Sequence, residues 1–210
     1  LYGGANARPF TTHHNTLDQK LYHRIADESY LKRLIIGGID RVYELSKDFR
    51  NEGMDRNHNP EFPMLEFYWA YAHYEDCMDL VEKMVREAAE KVGALQVDWG
   101  GMDIDLSKPF ARVPMLKLLK DATGCDLGDV SDDEIQAVCK KNKIEVGETW
   151  NYGQMLDELM SKLVEPNLIQ PTFIIDYPKA ISPLAKVPFS YTHLTFPTNR
   201  LWYRITLDES

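Results

Sequence analysis

The sequence FRNEGMDRNHNPEFPMLEFY, residues 49–68, contains two runs typical of β-strands, separated by a loop rich in Gly, Asp, Asn and Pro. Side chains on a strand alternate between its two faces, so Arg50 and Glu52 share one face of the first run. In the second run Glu66 and Tyr68 share a face. The opposite face of that run is apolar and consists of Leu65, Phe67 and Trp69. The pattern predicts an antiparallel hairpin whose apolar face packs on a core and whose other face carries ionisable groups.

The residue types on the ionisable face suit a nucleotide bound beside a cationic substrate. Arg50 offers a planar fork of donors for phosphate or carboxylate oxygens, and Phe62 can stack on a purine. Glu66 and Tyr68 supply a carboxylate and a phenol for an ammonium group. Two basic residues of the loop could reach further phosphates, Arg56 and His58. The alternative is a solvated ladder of weak charge pairs, but the concentration of these groups in one short stretch favours a binding site.

The stretch resembles the second signature motif of class II aminoacyl-tRNA synthetases, in the form typical of lysyl-tRNA synthetases. The resemblance rests on FRNEG at 49–53, HNPEF at 58–62 and EFY at 66–68. Aspartyl and asparaginyl relatives share the arginine and the glutamate, whereas the HNPEF loop with the EFY strand is similar to the lysine enzymes. Other segments also resemble that family, namely GGANARPF at 3–10, RIADESYLK at 24–32 and QPTFIIDYPKAISPLAK at 170–186.

The resemblance implies ATP-dependent activation of L-lysine to lysyl-adenylate and its transfer to tRNA(Lys). It implies that Arg50 is catalytic and bridges the α-phosphate and the lysine carboxylate. The residues implied to bind ATP are Arg50, Asn51, Glu52, His58, Asn59 and Phe62. The residues implied to bind lysine are Gly4, Glu28, Glu66 and Tyr68. Mg²⁺ would bridge the phosphates, its protein ligands lying outside this chain, and the full-length family forms homodimers.

The segment around Glu28 departs from the resembled family. The family commonly reads Pro-Glu-Leu where this chain has Asp27, Glu28 and Ser29. The glutamate is retained, as its implied contact with the substrate's α-amino group requires, and Asp27 is expected to loosen the helix start. Without the resemblance, Glu28 would be interpreted as an ordinary helix-surface acid and the glycines at 3–4 as a plain turn.

Two other functions remain open. A sister ligase that attaches a lysine-type amino acid to a translation elongation factor shares this catalytic core but lacks the anticodon-binding barrel. The sequence of the region before this chain would therefore distinguish the sister ligase from the tRNA ligase. The other alternative is a noncatalytic fragment that binds lysine or a nucleotide. Lysine-dependent pyrophosphate exchange separates that fragment from an enzyme.

Composition limits the classes of partner. The formal net charge of −9 argues against a surface that grips polyanions nonspecifically. The odd number of cysteines and the lack of a CxxC pair indicate a reducing compartment, and we expect a cytoplasmic protein. No apolar run approaches the length of a membrane span, and no signal peptide opens the chain. His13 and His14 are adjacent on a predicted extended segment and would point to opposite faces, which disfavours a shared metal.

The rest of the chain predicts an α+β fold, an antiparallel sheet flanked by helices. Periodicity and capping signals predict helices at 26–34, 75–92, 113–122, 131–141 and 152–164, a hairpin at 97–106 and a strand at 172–176. Residues 1–186 are interpreted as a partial class II catalytic domain. Residues 187–210 do not match and resemble translated sequencing-adapter DNA, so they are interpreted as a foreign tail, with native divergence as the alternative. Because the first and third motifs are absent, we expect the chain to be inactive alone.

Overall fold

The computed structural model describes residues 3–55, 58–147 and 149–182. These residues form two compact units, one ending at Ala72 and the other beginning at His73. Arg56 and the proposed tail at 187–210 lie outside the described residues, as does the end of the 170–186 segment. The fold is α+β, with helices and four two-stranded sheets among the described residues.

The first unit contains two antiparallel hairpins and one helix. Strands β1 and β2 form the first hairpin and β3 and β4 the second, with Arg41 opposite Trp69 and Phe49 opposite Glu61. Helix α1 packs against both β3 and β4. The bounds are β1 Thr11–His14, β2 Gln19–Tyr22, α1 Glu28–Ile36, β3 Arg41–Phe49 and β4 Glu61–Trp69.

Strand β3 ends one residue before the arginine of the motif. Arg50 N–H still donates to the Pro60 carbonyl at 2.8 Å, but Asn51 N–H turns to the Arg8 carbonyl at 2.7 Å. Pro60 has no N–H to donate, so it cannot extend the ladder in return. The prediction that Arg50 and Glu52 share the face of a strand is therefore wrong, because both follow the strand and lie in the loop.

The prediction that the apolar face of the β3–β4 hairpin is buried is wrong, because the ionisable face is the buried one. Asp48, on the face of Glu66 and Tyr68, is 0% exposed. The side chains that are most open lie on the other face, with exposures of 74% for Tyr43, 72% for Leu45 and 46% for Leu65. Because α1 and the chain leading into it cover the ionisable face, that face is the packed one in this unit.

The second unit is mainly helical. Helix α2 ends at Gly93, whose φ of 71° is the left-handed conformation that glycine adopts without strain, and α4 begins with the predicted capping box of Ser131 and Glu134. The helices are α2 Tyr74–Val92, α3 Met115–Thr123, α4 Asp132–Lys141 and α5 Tyr152–Leu159, which continues as a π-helical segment Met160–Val164 and a 3₁₀ turn Glu165–Asn167. None of the helices in the described part of the chain combines the length and apolar character needed to cross a bilayer.

The strands of the second unit include one parallel pair. β5 and β6 form the predicted hairpin, while β7 and β8 pair in parallel. Parallel strands require a long crossover, and here α3, α4 and α5 supply it. The bounds are β5 Gln96–Trp99, β6 Met102–Asp105, β7 Ala111–Pro114 and β8 Thr172–Ile175. The core of this unit lies among the crossover helices and includes Met115, Leu119, Ile135, Leu156 and Leu159.

Candidate functional site

The carboxylate of Glu66 is held on both of its oxygens. Tyr68 Oη donates a hydrogen bond to Glu66 Oε1 at 2.5 Å, and the Asp27 peptide N–H donates to Oε2 at 3.2 Å. Burial, and then the hydrogen bond to Glu66, raise the pKa of Tyr68, so its hydroxyl stays protonated and remains a donor. Glu66 and Tyr68 are both half-buried. Glu66 is therefore an oriented carboxylate with a hydroxyl beside it.

The segment 24–27, which leads into α1, is bonded to both strands of the hairpin. Phe49 N–H donates to the Arg24 carbonyl at 2.9 Å, and Arg50 Nε donates to the Ile25 carbonyl at 3.4 Å. The bond from Asp27 N–H to Glu66 is the third link. This segment therefore connects the arginine at the end of β3 to the carboxylate on β4.

The side chain of Asp27 is buried, with 2% exposure, and is fully engaged. Ser46 Oγ donates to Asp27 Oδ2 at 2.6 Å, and Arg24 Nη1 donates to Oδ1 at 2.9 Å. Arg24 Nη1 also contacts Glu44, and that hydrogen bond raises the pKa of Arg24. Since Glu44 lies directly opposite Glu66 in the register, Arg24 offsets the repulsion between two facing glutamates.

Gly4 lies against Glu28 at the start of α1. A Cβ on Gly4 would lie 3.0 Å from the Cβ of both Ala26 and Glu28, and its φ of +90° is strained for other residues. The backbone can reach the start of α1 this closely only because residue 4 is glycine. Glu28 is the first residue of α1 and forms an ion pair with Lys32. Lys32 Nζ also lies 5.6 Å from the centre of the Tyr68 ring, so one ammonium is near both Glu28 and Tyr68.

Arg50 lies over the ring of Phe62. The centre of its guanidinium is 5.1 Å from the ring centroid, and both side chains are half-buried. The bond to Ile25 uses Nε, which leaves the two terminal nitrogens as the donors of the guanidinium for a ligand. Arg50 is therefore supported from two directions, by an aromatic ring and by a main-chain carbonyl.

Four other predicted residues lie on the exposed loop between β3 and β4. The His58 ring contacts its loop neighbour, with 2.8 Å between Nδ1 and Asp55 Oδ1. The structure thus brings Arg50, Phe62, Glu66 and Tyr68 onto one surface. Within the part of the chain that the structure describes, the side chains of the exposed loop take no part in the contacts among those four residues. The loop residues are Asn51, Glu52, His58 and Asn59.

The residues that complete the network were not identified from the sequence. Asp27 was expected only to weaken the start of the helix, yet it bonds to two elements at once. The polar residues at alternate positions of β3 are a signal that could have found its partners, because they lie on one strand face. They are Glu44, Ser46 and Asp48.

The surface is anionic. It has five acids and three bases, so its acids outnumber its bases even when the buried Asp48 is counted as neutral. The acids are Asp27, Glu28, Glu44, Asp48 and Glu66, and the bases are Arg24, Lys32 and Arg50. Such a surface attracts a cationic ligand, and the guanidinium of Arg50 provides one place for a negative group.

Asp48 is a buried carboxyl group without a hydrogen bond to any described residue. Burial, and next the charge of Asp27, raise the pKa of Asp48 above its usual range. An unfolded aspartate is ionised above a pH of about 4. At higher pH, folding therefore has to protonate Asp48 or bury its charge, and either costs free energy. The contribution of Asp48 to the stability of the fold becomes more unfavourable as the pH rises from about 4 through the raised pKa.

We expect Asp48→Asn to stabilise the protein increasingly as the pH rises. The difference in unfolding free energy between variant and wild type should grow by about 1.4 kcal/mol for each unit by which folding raises the pKa of Asp48. Urea unfolding of the complete protein at several pH values between about 4.5 and 8 measures this difference. Asp40→Asn, on the exposed surface of the same unit, reports the effect of losing a surface carboxylate. A stability difference for Asp48→Asn that does not change with pH would contradict the assignment.

Comparison with known proteins gives a family match over nearly all of the chain. The family described as tRNA synthetases class II (D, K and N) matches residues 1–204. The lysine–tRNA ligase of Carboxydothermus hydrogenoformans is 50% identical over an alignment of 199 residues, and the alignment covers 93% of this chain and 41% of that protein. The lysine–tRNA ligase of Staphylococcus aureus strain MW2 is 53% identical over 188 residues, 89% of this chain and 38% of that protein. The chain thus spans about 40% of the length of these curated relatives.

Proposed function

The chain belongs to the class II tRNA synthetases of the D, K and N group, and from this premise we propose that the complete protein is a lysine–tRNA ligase. It would activate L-lysine with ATP to lysyl-adenylate and then transfer the lysyl group to tRNA(Lys). The choice of lysine within the group is supported by relatives of about 50% identity that are named lysine–tRNA ligases.

The observation that carries the proposal is the oriented carboxylate of Glu66. Tyr68 and the Asp27 N–H fix its two oxygens on a surface where acids outnumber bases. A half-buried carboxylate favours a ligand that brings a positive charge and several donors, and an alkyl ammonium has both. We therefore assign Glu66 and Tyr68 to the side-chain ammonium of lysine.

The second ammonium, the α-amino group of the substrate, is assigned to Gly4 and Glu28. The contact between these residues places a main-chain segment beside a carboxylate at the start of α1. The ammonium of Lys32, which pairs with Glu28 and lies over the Tyr68 ring, supports this assignment, because it is a group of the same chemistry near the same side chains. Lysine binding would replace this exposed ion pair, whose loss costs little.

The proposed reaction requires positioning and charge neutralisation at phosphorus. A carboxylate oxygen of lysine attacks the α-phosphorus of ATP, a new oxygen–phosphorus bond forms, and the bond to the bridging oxygen of pyrophosphate breaks with its electrons leaving on pyrophosphate. Arg50 is assigned to the α-phosphate and the attacking carboxylate, where its terminal nitrogens would neutralise charge that grows in the transition state.

The remaining nucleotide contacts are proposed from the family resemblance. Phe62 is assigned to the adenine ring and Glu52 to the adenine edge. Asn51 also belongs to the proposed ATP site, and His58 and Asn59 would lie along the triphosphate. The exposure of the loop residues leaves them accessible to a nucleotide.

Magnesium and the macromolecular partners belong to the whole protein. ATP is expected to arrive with Mg²⁺. The described residues contain no group of three or more His, Cys, Asp or Glu that could hold a metal. We propose tRNA(Lys) and a second copy of the protein as partners, in agreement with the family resemblance. A cytoplasmic location is proposed from the free thiols at Cys77, Cys125 and Cys139.

The test is amino-acid-dependent exchange of pyrophosphate into ATP by the complete protein, followed by transfer of labelled lysine. We expect exchange with lysine and with none of the other standard amino acids at matched concentration, and we expect the label to appear on tRNA(Lys). Exchange followed by labelling of an elongation factor instead would assign the sister activity. No exchange with any amino acid would overturn the enzymatic proposal.

A further inference from the structure

We infer that Asp48 is a proton-binding site coupled to the phosphate site at Arg50, so that a nucleotide phosphate binds more tightly when Asp48 is protonated. The inference rests on the proposed function, in which Arg50 contacts the α-phosphate of ATP. It gives this chain a pH dependence of nucleotide affinity that the reaction itself does not require.

The first step is the position of Asp48 beside the proposed phosphate site. Asp48 is the last but one residue of β3, and Arg50 follows it by two positions. Its partner in the register is Phe62, whose ring centroid is 5.1 Å from the Arg50 guanidinium. Asp48 is 0% exposed, and neither of its carboxyl oxygens has a hydrogen bond to a described residue. A negative charge on Asp48 therefore depends on the surrounding charges for its stabilisation.

The second step is the set of charged groups that face Asp48. Two arginines favour its ionised form, whereas two acids favour its protonated form and add to the effect of burial. They are Arg24 and Arg50, and Asp27 and Glu66. The other ionisable groups of the packed elements are paired or neutral. They are Glu28 and Lys32 on α1, which pair with each other, Glu44 on β3, which pairs with Arg24, and the protonated Tyr68 on β4.

The third step is that the charge of Arg50 is the one that a ligand would change. Arg24 is already paired with Asp27 and Glu44. The contacts of Arg50 are instead with a main-chain carbonyl and an aromatic ring. A phosphate bound at Arg50 would offset its positive charge and would also repel an ionised Asp48. Both effects raise the pKa of Asp48 further.

The direction of the pH dependence follows from linkage. A ligand that raises the pKa of a group binds more tightly to the form in which that group is protonated. Affinity for a phosphate ligand should therefore be highest below the pKa of Asp48 in the free protein. It should fall as the pH rises through the interval up to the pKa of Asp48 in the complex, and it should be constant above that interval.

The experiment compares the complete wild-type protein with Asp48→Asn, which keeps the shape of the side chain and cannot ionise. The probe is the methyl ester of AMP, because a phosphodiester keeps its single negative charge over the whole pH range. Equilibrium dialysis between about pH 4.5 and 8 gives the ratio of the wild-type Kd to the Asp48→Asn Kd. We expect this ratio to rise from about one to about five or more, the lower end of the usual coupling between two sites.

Two controls isolate the coupling. Adenosine has no phosphate, so its Kd ratio should not change with pH. Asp40→Asn removes an exposed carboxylate of the same unit, and its Kd for the ester should follow that of the wild type at every pH. The histidines that titrate in this range, His23 and His58, are retained in all three proteins, so the ratios exclude their contribution.

The inference and the proposed function fail in different ways. Asp48→Asn is expected to be at least as stable as the wild type, and Asp48→Ala, a second neutral variant, should show the same ratio for the ester. A ratio for the ester that does not rise with pH in either variant would overturn the inference and leave the proposed function intact. Absence of lysine-dependent pyrophosphate exchange in the wild type would overturn the proposed function instead.

Discussion

Arg50→Lys in the complete protein should lower the rate of lysine-dependent pyrophosphate exchange by about a hundredfold or more. The substitution keeps the positive charge but removes the planar fork that can hold two oxygens at once. It also removes Nε, whose bond to the Ile25 carbonyl fixes the guanidinium, and the contact of the guanidinium with the Phe62 ring. Loss of a fixed donor at a site of developing charge typically costs two to three powers of ten in rate.

Arg41→Lys is the matched control for this prediction. Arg41 is the first residue of β3, the strand that Arg50 follows. It is exposed and also lies over an aromatic ring, with 4.2 Å between its guanidinium and the centroid of Trp69. The same chemical change at Arg41 should leave the exchange rate within about twofold of wild type. If Arg50→Lys also stays near the wild-type rate, then Arg50 only supports the loop.

The hairpin was predictable from the sequence, while the burial of its faces was not. Alternation correctly placed Glu66 and Tyr68 on one face and Leu65 on the other, because strand geometry alone fixes that relation. Which face is covered depends on what packs there. Here α1 and the 24–27 segment cover the polar face, since hydrogen bonds and ion pairs from Arg24, Ser46 and Tyr68 satisfy Asp27, Glu44 and Glu66. Asp48 is the exception, because it is buried without a hydrogen bond to any described residue.

One contact of the network around Asp27 could not be derived from local patterns. The hydrogen bond from Asp27 N–H joins Asp27 to Glu66, and neither residue type nor spacing identifies a pair so far apart in sequence. Two helix ends of the second unit were predictable because their signals are local in sequence. The capping box at Ser131 and the glycine at 93 act within a few residues, so their effect can be recognised in the sequence itself.

The parallel pair β7–β8 was only half predicted. The run at 172–176 has the apolar character of a strand, and the structure confirms it as β8. Its partner β7 is four residues long, includes Arg112 and Pro114, and pairs with a strand that follows it only after three intervening helices. A short strand of mixed polarity has little local signal, so its pairing depends on the tertiary fold.

Glu66→Gln should weaken lysine binding by about a hundredfold or more, corresponding to about 3 kcal/mol for an ammonium that loses its charge partner in a half-buried site. The substitution preserves shape and local bonding. The amide oxygen can still accept from the Asp27 N–H, and the amide nitrogen can donate to the hydroxyl of Tyr68. Because the fold should tolerate this change, the loss reports the missing charge. Equilibrium dialysis with labelled lysine and with labelled ATP measures the two affinities separately.

The same experiment on Glu61→Gln separates a local effect from a general one. Glu61 lies on the same strand as Glu66, and its side chain is exposed and paired with Lys47 on the other face of the hairpin. Both substitutions remove one negative charge, but only the one at position 66 removes it from the surface that would contact the substrate. Long-range attraction of a cationic ligand would be reduced to a similar extent in the two variants and would be screened by salt. A large loss for lysine in Glu66→Gln, with ATP affinity unchanged and Glu61→Gln near wild type at physiological salt, is the expected pattern. Equal losses for lysine and ATP would assign Glu66 to the integrity of the hairpin and not to recognition of the side chain.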